Sequence, residues 1–414
     1  MQICIVAEHA STHFGGEAFL PLRYFSLLRS RGIDTWLVVH SRTRREIEAL
    51  FPRDLDRIFF VPDLWIHRLV FTIGRGLPRR LSEGTFGLIN QLITQFYQRS
   101  IVRNLIRTQP IDVIHQPIPI SPRFPSALFS MGIPVVIGPL NGGMEFPEAF
   151  RSNESLVSRA AVAFLKLFTN AGNNLLPGKK HAAVLLVANE RTRNALPRGV
   201  RGRVLEMNEN GVDTCAFHSG EPDNLVRTNP LFVFVGRLVD WKALDIAIRA
   251  LAQVPGAELE VIGDGPMLET WKTLAREVGV AERVRFLGPQ TQPQYAARLR
   301  ESVGLVLPSL HESGGAVVLE AMATGKPVIA TRWGGPLDYL DSSCGILVAP
   351  QSYEALVTGF AQAMQKLIDH PDLAKAMGTA GRERAVRDFD WQRRIDAMVG
   401  IYDILVKKPL LVAS

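Results

Sequence analysis

The stretch from Pro308 to Ala330 concentrates residue types that could do chemistry: Glu312, the pair Gly314 and Gly315, Ala316, an apolar run interrupted by Glu320, and Gly325. A strand pattern ends near Leu307, and a helical pattern runs from the glycines to Gly325, whose position suits a C-cap. Glycines at a helix start let a ligand approach the first unpaired backbone N–H groups, where the helix dipole favours an anion. The spacing therefore places a phosphate at Gly314, Gly315 and Ala316. Glu320 lies about 7.5 Å further along the axis than Gly315, so the two address different portions of one ligand. A carboxylate accepts hydrogen bonds from two adjacent hydroxyls, as on a ribose, and Glu312 in the loop can address a different hydroxylated ring. The plainer alternative makes Glu312 a dipole-complementing acid and Glu320 a solvated helix residue. The glycines and the preceding strand weigh against it.

Other motifs fail on spacing. His311 and Glu312 would begin HExxH, but Gly315 stands where the second histidine belongs. Gly263-Asp264-Gly265 starts a dinucleotide fingerprint whose third glycine position is Leu268. His9 and His13 have i, i+4 spacing in a loop with no third ligand nearby. Asp54-Leu55-Asp56 and Asp388-Phe389-Asp390 mimic a metal-binding DxD, and neither follows a strand as that motif requires. No metal and no resident cofactor is expected.

The elements that must position these residues alternate short β-branched runs with longer amphipathic stretches, which reads as βα units and parallel sheets. Strands are expected at 2–7, 35–39, 57–61, 111–115, 134–138 and 184–188, and again at 231–236, 258–262, 283–287, 304–307 and 327–330. Helices at 352–368, 371–386 and 391–406 follow, with no further strand. A turn-rich stretch from Asn208 to Asn224 separates the two series. The expected domains are 1–210 on the acceptor side, 211–390 on the nucleotide side, and a terminal helix at 391–414 packing back toward the first. Two Rossmann-like α/β domains facing across a cleft would bind ligands at the carboxyl ends of both sheets.

The chain of 414 residues, 47% hydrophobic and 21% charged, has the composition of a folded globular protein. Its 3 cysteines form no CxxC, which excludes a disulfide framework or cysteine-rich zinc site and suits a reducing cytoplasm. The start, Met1 to Glu8, reads as a buried strand rather than a signal peptide. No stretch supplies 18 uncharged apolar residues, so no membrane span is expected. Net charge is +7 but uneven: residues 1–200 carry 24 Lys/Arg against 14 Asp/Glu, and residues 201–414 carry 23 against 26. The first half should meet something anionic. No nucleic-acid-binding module is evident.

The second half resembles the retaining glycosyltransferases of the GT-B fold, family 4, whose Glu-x7-Glu signature Glu312 and Glu320 match. The resemblance continues through Phe234-Val235-Gly236-Arg237 to Lys242, Ile262-Gly263-Asp264-Gly265-Pro266, Phe286-Leu287-Gly288 and Asn210-Gly211-Val212-Asp213. It is weaker in the first half, at Gly15-Gly16-Glu17, at Val113-Ile114-His115 and at the loop from Ile137 to Gly143. Ala243 departs from a glycine common in the family, and Ser313 to Ala316 departs from a Gly-Phe-Gly.

What the resemblance implies is a nucleotide diphosphate sugar as donor, UDP-linked by preference and GDP-linked otherwise. Arg237 and Lys242 would hold its diphosphate, Leu287 would line the nucleotide pocket, Gly15 and Gly16 would let backbone pass close to phosphate, and His115 would bond the donor sugar. By residue type alone Arg237 and Lys242 are surface cations, His115 a packed histidine, and the glycines a strand-to-helix turn. The implied activity is sugar transfer with retention to the hydroxyl of a glycan, glycolipid or small molecule. The alternatives are a sugar-nucleotide epimerase or hydrolase on the same scaffold, or a non-catalytic nucleotide-sugar-binding module. Leu64 to Arg75, with Trp65, Arg68 and Phe71, then Arg79 and Arg80, reads equally as packed core or as a segment lying on an anionic membrane. That second reading puts a cytoplasmic protein on the membrane's inner face. Arg99, Arg103 and Arg107 form a stripe opposite Tyr97, Ile101 and Leu105, as on a helix covering a sheet.

Overall fold

The computed structural model describes residues 1–13, 16–74, 79–153, 169–220 and 229–407. The chain divides into two compact units, Met1–Gly143 with Val157–Glu209 and Ile395–Ser414, and Met144–Leu156 with Asn210–Arg394. The first is built on β1 (Gln2–Val6), β2 (Asp34–His40), β3 (Ile58–Val61), β4 (Val113–Gln116), β5 (Val135–Leu140), β6 (Val184–Val187) and β7 (Arg203–Glu206). The second carries β8 (Leu231–Val235), β9 (Glu258–Ile262), β10 (Val284–Gly288), β11 (Gly304–Leu307), β12 (Val328–Thr331) and β13 (Gly345–Val348). The sheet orders are β3-β2-β1-β4-β5-β6-β7 and β10-β9-β8-β11-β12-β13, with every pairing parallel. Both units are Rossmann-like, the α/β class read from the sequence.

Continuous apolar runs make these strands because helices cover both faces: Ile3, Cys4, Ile5 and Val6 are all fully buried, as are Phe232, Val233 and Phe234. Each sheet reverses its winding once. Cys4 sits between Trp36 of β2 and Ile114 of β4, and Phe232 between Leu259 of β9 and Gly304 of β11. Beyond the carboxyl ends of β1/β4 and β8/β11, the loops must diverge to opposite faces, which opens a crevice.

Two strands went unread in the sequence. In β7 both end residues are exposed, so an edge strand carries almost no apolar signal. In β13 the short run Gly345–Val348 follows a polar turn in which Asp341 accepts from the N–H (2.8 Å) and the hydroxyl (2.5 Å) of Ser343.

The long helix Arg79–Thr108 keeps Arg103 and Arg107 exposed and Leu105 buried, as expected, and corrects the stripe at its start. Arg99 is buried and Tyr97 exposed, because this face packs through polar groups. Arg99 donates to the Ala127 carbonyl (2.5 Å) and lies 3.8 Å over the Phe129 ring, while the Gln98 amide donates to the Ala7 carbonyl (2.5 Å). Among the described residues, no helix is long and apolar enough to cross a membrane.

Candidate functional site

In the second unit, two loops meet beyond β8 and β11. Lys242 ends the 3-10 turn Asp240–Lys242, and Ala243 follows it in the left-handed region (φ 48°), which explains a glycine preference there. The Leu310 N–H donates to the Trp241 carbonyl (2.9 Å) and joins this loop to the one carrying Glu312. Lys242 Nζ and Glu312 Oε2 form a close ion pair, with the two side chains 15% and 12% exposed. The structure thus brings together two of the expected site residues.

Gly315 N-caps the helix Ala316–Ala323 at φ 75°. A left-handed cap suits glycine and leaves the first N–H groups facing the loop. A feature the sequence analysis missed holds Glu312 to Gly314 in place, the turn Trp333-Gly334-Gly335 after β12. The Gly335 N–H donates to the Glu312 carbonyl (2.7 Å), and a Cβ on Gly335 would stand 2.2 Å from the Gly314 carbonyl oxygen. The Gly-Gly-Pro run after a strand was the available signal.

A second pair of glycines is structural. A Cβ on Gly263 would meet the Gly236 carbonyl oxygen at 2.0 Å, and one on Gly265 the Leu238 carbonyl oxygen at 2.4 Å. The Gly236 N–H donates to the Ile262 carbonyl (2.9 Å) and the Leu238 N–H to the Asp264 carbonyl (2.9 Å). This zipper carries Arg237, which is exposed, and leaves Leu287 partly buried at the end of β10.

Glu320 lies on the helix after Gly315, partly buried, and accepts from the hydroxyl of Tyr295, which sequence reasoning also missed. Burial pushes the Glu320 carboxyl up to about 7, partly offset by that hydrogen bond. The Tyr295 phenol is raised by its own burial and by the Glu320 carboxylate.

In the first unit, Gly16 opens the helix Gly16–Ser30, and no atom lies within 4 Å of where its Cβ would be. Packing does not require a glycine there. Gly15 lies outside the described residues. His115, on β4, is fully buried with both nitrogens engaged: the Tyr402 hydroxyl donates to Nδ1 (2.7 Å) and Nε2–H donates to the Gly138 carbonyl (2.7 Å). Burial pulls its imidazole down to about 4, so it stays neutral. It has the environment of a packed histidine.

His40, Asp63 and His67 bring one ligand-capable atom each within 4.8 Å of one another. Both imidazoles already accept backbone N–H groups at Nδ1, from Arg42 (3.1 Å) and Leu64 (3.2 Å), and the Arg42 cation opposes positive charge on either ring. At the end of β1, burial raises Glu8 to about 7, against Arg42, which lowers it.

The model of a family described as Glycosyl transferases group 1 matches residues 221–384. D-inositol 3-phosphate glycosyltransferase of Corynebacterium diphtheriae is 31% identical over 183 residues, 42% of this chain and 42% of its own. Glycogen synthase of Mycobacterium tuberculosis is 32% identical over 201 residues, 47% of each chain. The chain spans less than half the length of these curated relatives. HepE of Anabaena, solved in complex with UDP, superposes over 97% of this chain and 99% of its own with a TM-score of 0.68 at 16% identity, a likeness of fold.

Proposed function

Residues 221–384 belong to the glycosyl transferases group 1 family, and from that premise we propose that the protein transfers a sugar, with retention, from a nucleotide diphosphate sugar to an acceptor hydroxyl. The observation carrying this reading is the Lys242–Glu312 pair at the mouth of the glycine-capped helix, in the crevice of a doubly wound sheet. The diphosphate would lie at Gly314 to Ala316, with Arg237 and Lys242 offsetting the charge that grows as it departs. Glu320 would hold the ribose and Glu312 the sugar. Gly16, free of any packing demand, supports close passage of a ligand over the first sheet.

In the reaction the anomeric carbon to diphosphate oxygen bond breaks and the acceptor oxygen bonds the same face of that carbon. The acceptor proton passes to the departing diphosphate oxygen. No protein nucleophile is needed, and positioning with electrostatics does the catalysis. A UDP-linked donor is favoured, since a protein of like fold was solved with UDP.

The test is a donor panel followed by released nucleotide diphosphate with and without acceptor, and anomeric NMR of the product. Inversion at the anomeric carbon overturns retention; release independent of acceptor makes the protein a hydrolase. We assign the first domain a place on an anionic membrane surface and the acceptor to a glycolipid. Trp65 is 73% and Leu69 48% exposed on one face of the helix Trp65–Gly74, in the more basic half of the chain. Arg75 and the side chains of Arg68, Phe71, Arg79 and Arg80 lie outside the described residues. Equal sedimentation with anionic and neutral liposomes at low salt would overturn the assignment.

A further inference from the structure

The helix Ala316–Ala323 has its glycine-capped end at the crevice, and its other end, about 12 Å away, abuts a cavity of ≈ 700 Å³. Arg300, Lys326, Lys375, Arg382, Arg387 and Arg393 line it, against one carboxylate, Glu383. Close glycine contact builds its floor: a Cβ on Gly378 would stand 1.9 Å from the Gly325 carbonyl oxygen. Only at that approach does the helix Pro371–Arg384 carry Lys375 and Arg382 to the same opening as Lys326.

Two of the six cations are committed. Arg382 donates to the Ala323 and Phe217 carbonyls, and Arg387 pairs with Asp388 (2.8 Å). Among the described residues, Arg300, Lys326, Lys375 and Arg393 pair with no carboxylate. Helix dipoles account for Lys326 and Arg300, which stand at helix C-terminal ends. They do not account for Arg393, in the first turn of Trp391–Lys407, or for Lys375, in the N-terminal half of its helix. There the dipole disfavours a cation. Burial also pulls the Lys326 ammonium below its usual value, and no carboxylate holds it up.

We propose that this cavity is a binding site for a small molecule bearing two phosphate groups, separate from the crevice at the other end of the helix. Two phosphate monoesters carry about −3 to −4 at neutral pH, which the four unpaired cations match. The size of the cavity admits such a molecule, and the hydroxyls of Ser219 and Thr379 at its rim supply further donors. The assignment does not rest on the transferase reading, since no residue of the crevice takes part.

Calorimetric titration of the full chain with tripolyphosphate tests it, using wild type, Arg300→Ala/Lys375→Ala, Arg300→Lys/Lys375→Arg and Lys242→Ala. The expected result is a saturable binding component that weakens at least 10-fold in the alanine pair, is retained in the conservative pair and persists in Lys242→Ala, which removes only a component at the crevice. Lys375→Glu, a change at an exposed side chain, replaces the alanine pair if that pair melts below wild type. Wild-type affinity in the charge-removing variants, loss of all binding in Lys242→Ala, or absence of binding in wild type overturns the proposal. So does residue-dependent binding to phosphatidate vesicles without binding to tripolyphosphate, which would make the source a lipid headgroup.

Discussion

The ion pair of Lys242 with Glu312 joins two expected roles, one toward a diphosphate and one toward a sugar. Without an anion, Lys242 pairs with Glu312; a diphosphate bound as proposed would compete for the same ammonium. Glu312→Gln frees that cation, so turnover should fall by about 10² or more while affinity for the nucleotide diphosphate holds or rises. Glu320→Gln should do the opposite, weakening nucleotide binding through the ribose. Initial rates and calorimetric titration on both variants check the split, and unchanged nucleotide affinity in both would mean the roles are misassigned. Burial raises the Glu320 carboxyl to about 7, and ribose hydroxyls held there as proposed would donate to its carboxylate form. Nucleotide affinity should therefore climb with pH through that value and level above it, with a proton released on binding. The dependence should flatten in Glu320→Gln. Glu312, Gly314, Gly315 and Glu320 could be read directly from the sequence because they sit within a few residues on one strand–loop–helix unit. Tyr295 could not, since only tertiary packing brings its hydroxyl to Glu320.

At the scale of elements, the turn Asp240–Lys242 ends on Ala243, an L-residue at φ 48°. Left-handed backbone costs a residue with a Cβ about 1–2 kcal/mol, part of which glycine gives back through its freer unfolded chain. Ala243→Gly should thus stabilise the protein by roughly 1 kcal/mol, read as a higher urea midpoint with unchanged slope, and leave donor affinity intact. A lower midpoint would show that the buried methyl group matters more than the backbone. The central strands were legible because full burial makes them continuous apolar runs. The edge strand β7 and the short β13 were not, since one presents polar ends to solvent and the other hides behind a turn. The helix Arg79–Thr108 misled hydropathy for a related reason. Its buried face works by side chains such as Gln98 and Arg99 satisfying loop carbonyls, so its inner surface looks like an outer one.

Across the whole molecule, tertiary context decides what single positions mean. The role of His115 was ambiguous from sequence because the phenol occupying its Nδ1 comes from Tyr402, 287 residues away. Tyr402→Phe would leave that buried nitrogen unpaired, which costs about 1–3 kcal/mol and should lower the melting temperature by at least about 2 °C. Buried titratable groups should also give the two units different responses to acid. In the first unit, His9, His40, His67 and His115 all have lowered pKa values, each mainly from burial, with His40 and His115 at about 4. The unfolded chain takes up protons from about 6.5 downward while these sites resist, so their contribution is complete above 6.5 and is lost as pH falls toward 4. Glu8 and Glu17, raised by burial, oppose them with a contribution present below about 4.5 and lost as pH rises through the folded values. Burial also pulls the Lys179 ammonium down to about 7, on the side of the histidines, and five groups against two leave the first unit less stable in mild acid. In the second unit, burial raises the Glu320 carboxyl to about 7, a contribution that grows as pH falls. Hydrogen exchange at pH 5 and pH 8, corrected for intrinsic rates, should therefore show protection of β1, β2 and β4 falling in acid while that of β8 and β11 holds or rises. Parallel loss of protection in both sheets would mean that a single global transition, not the buried histidines, governs acid stability.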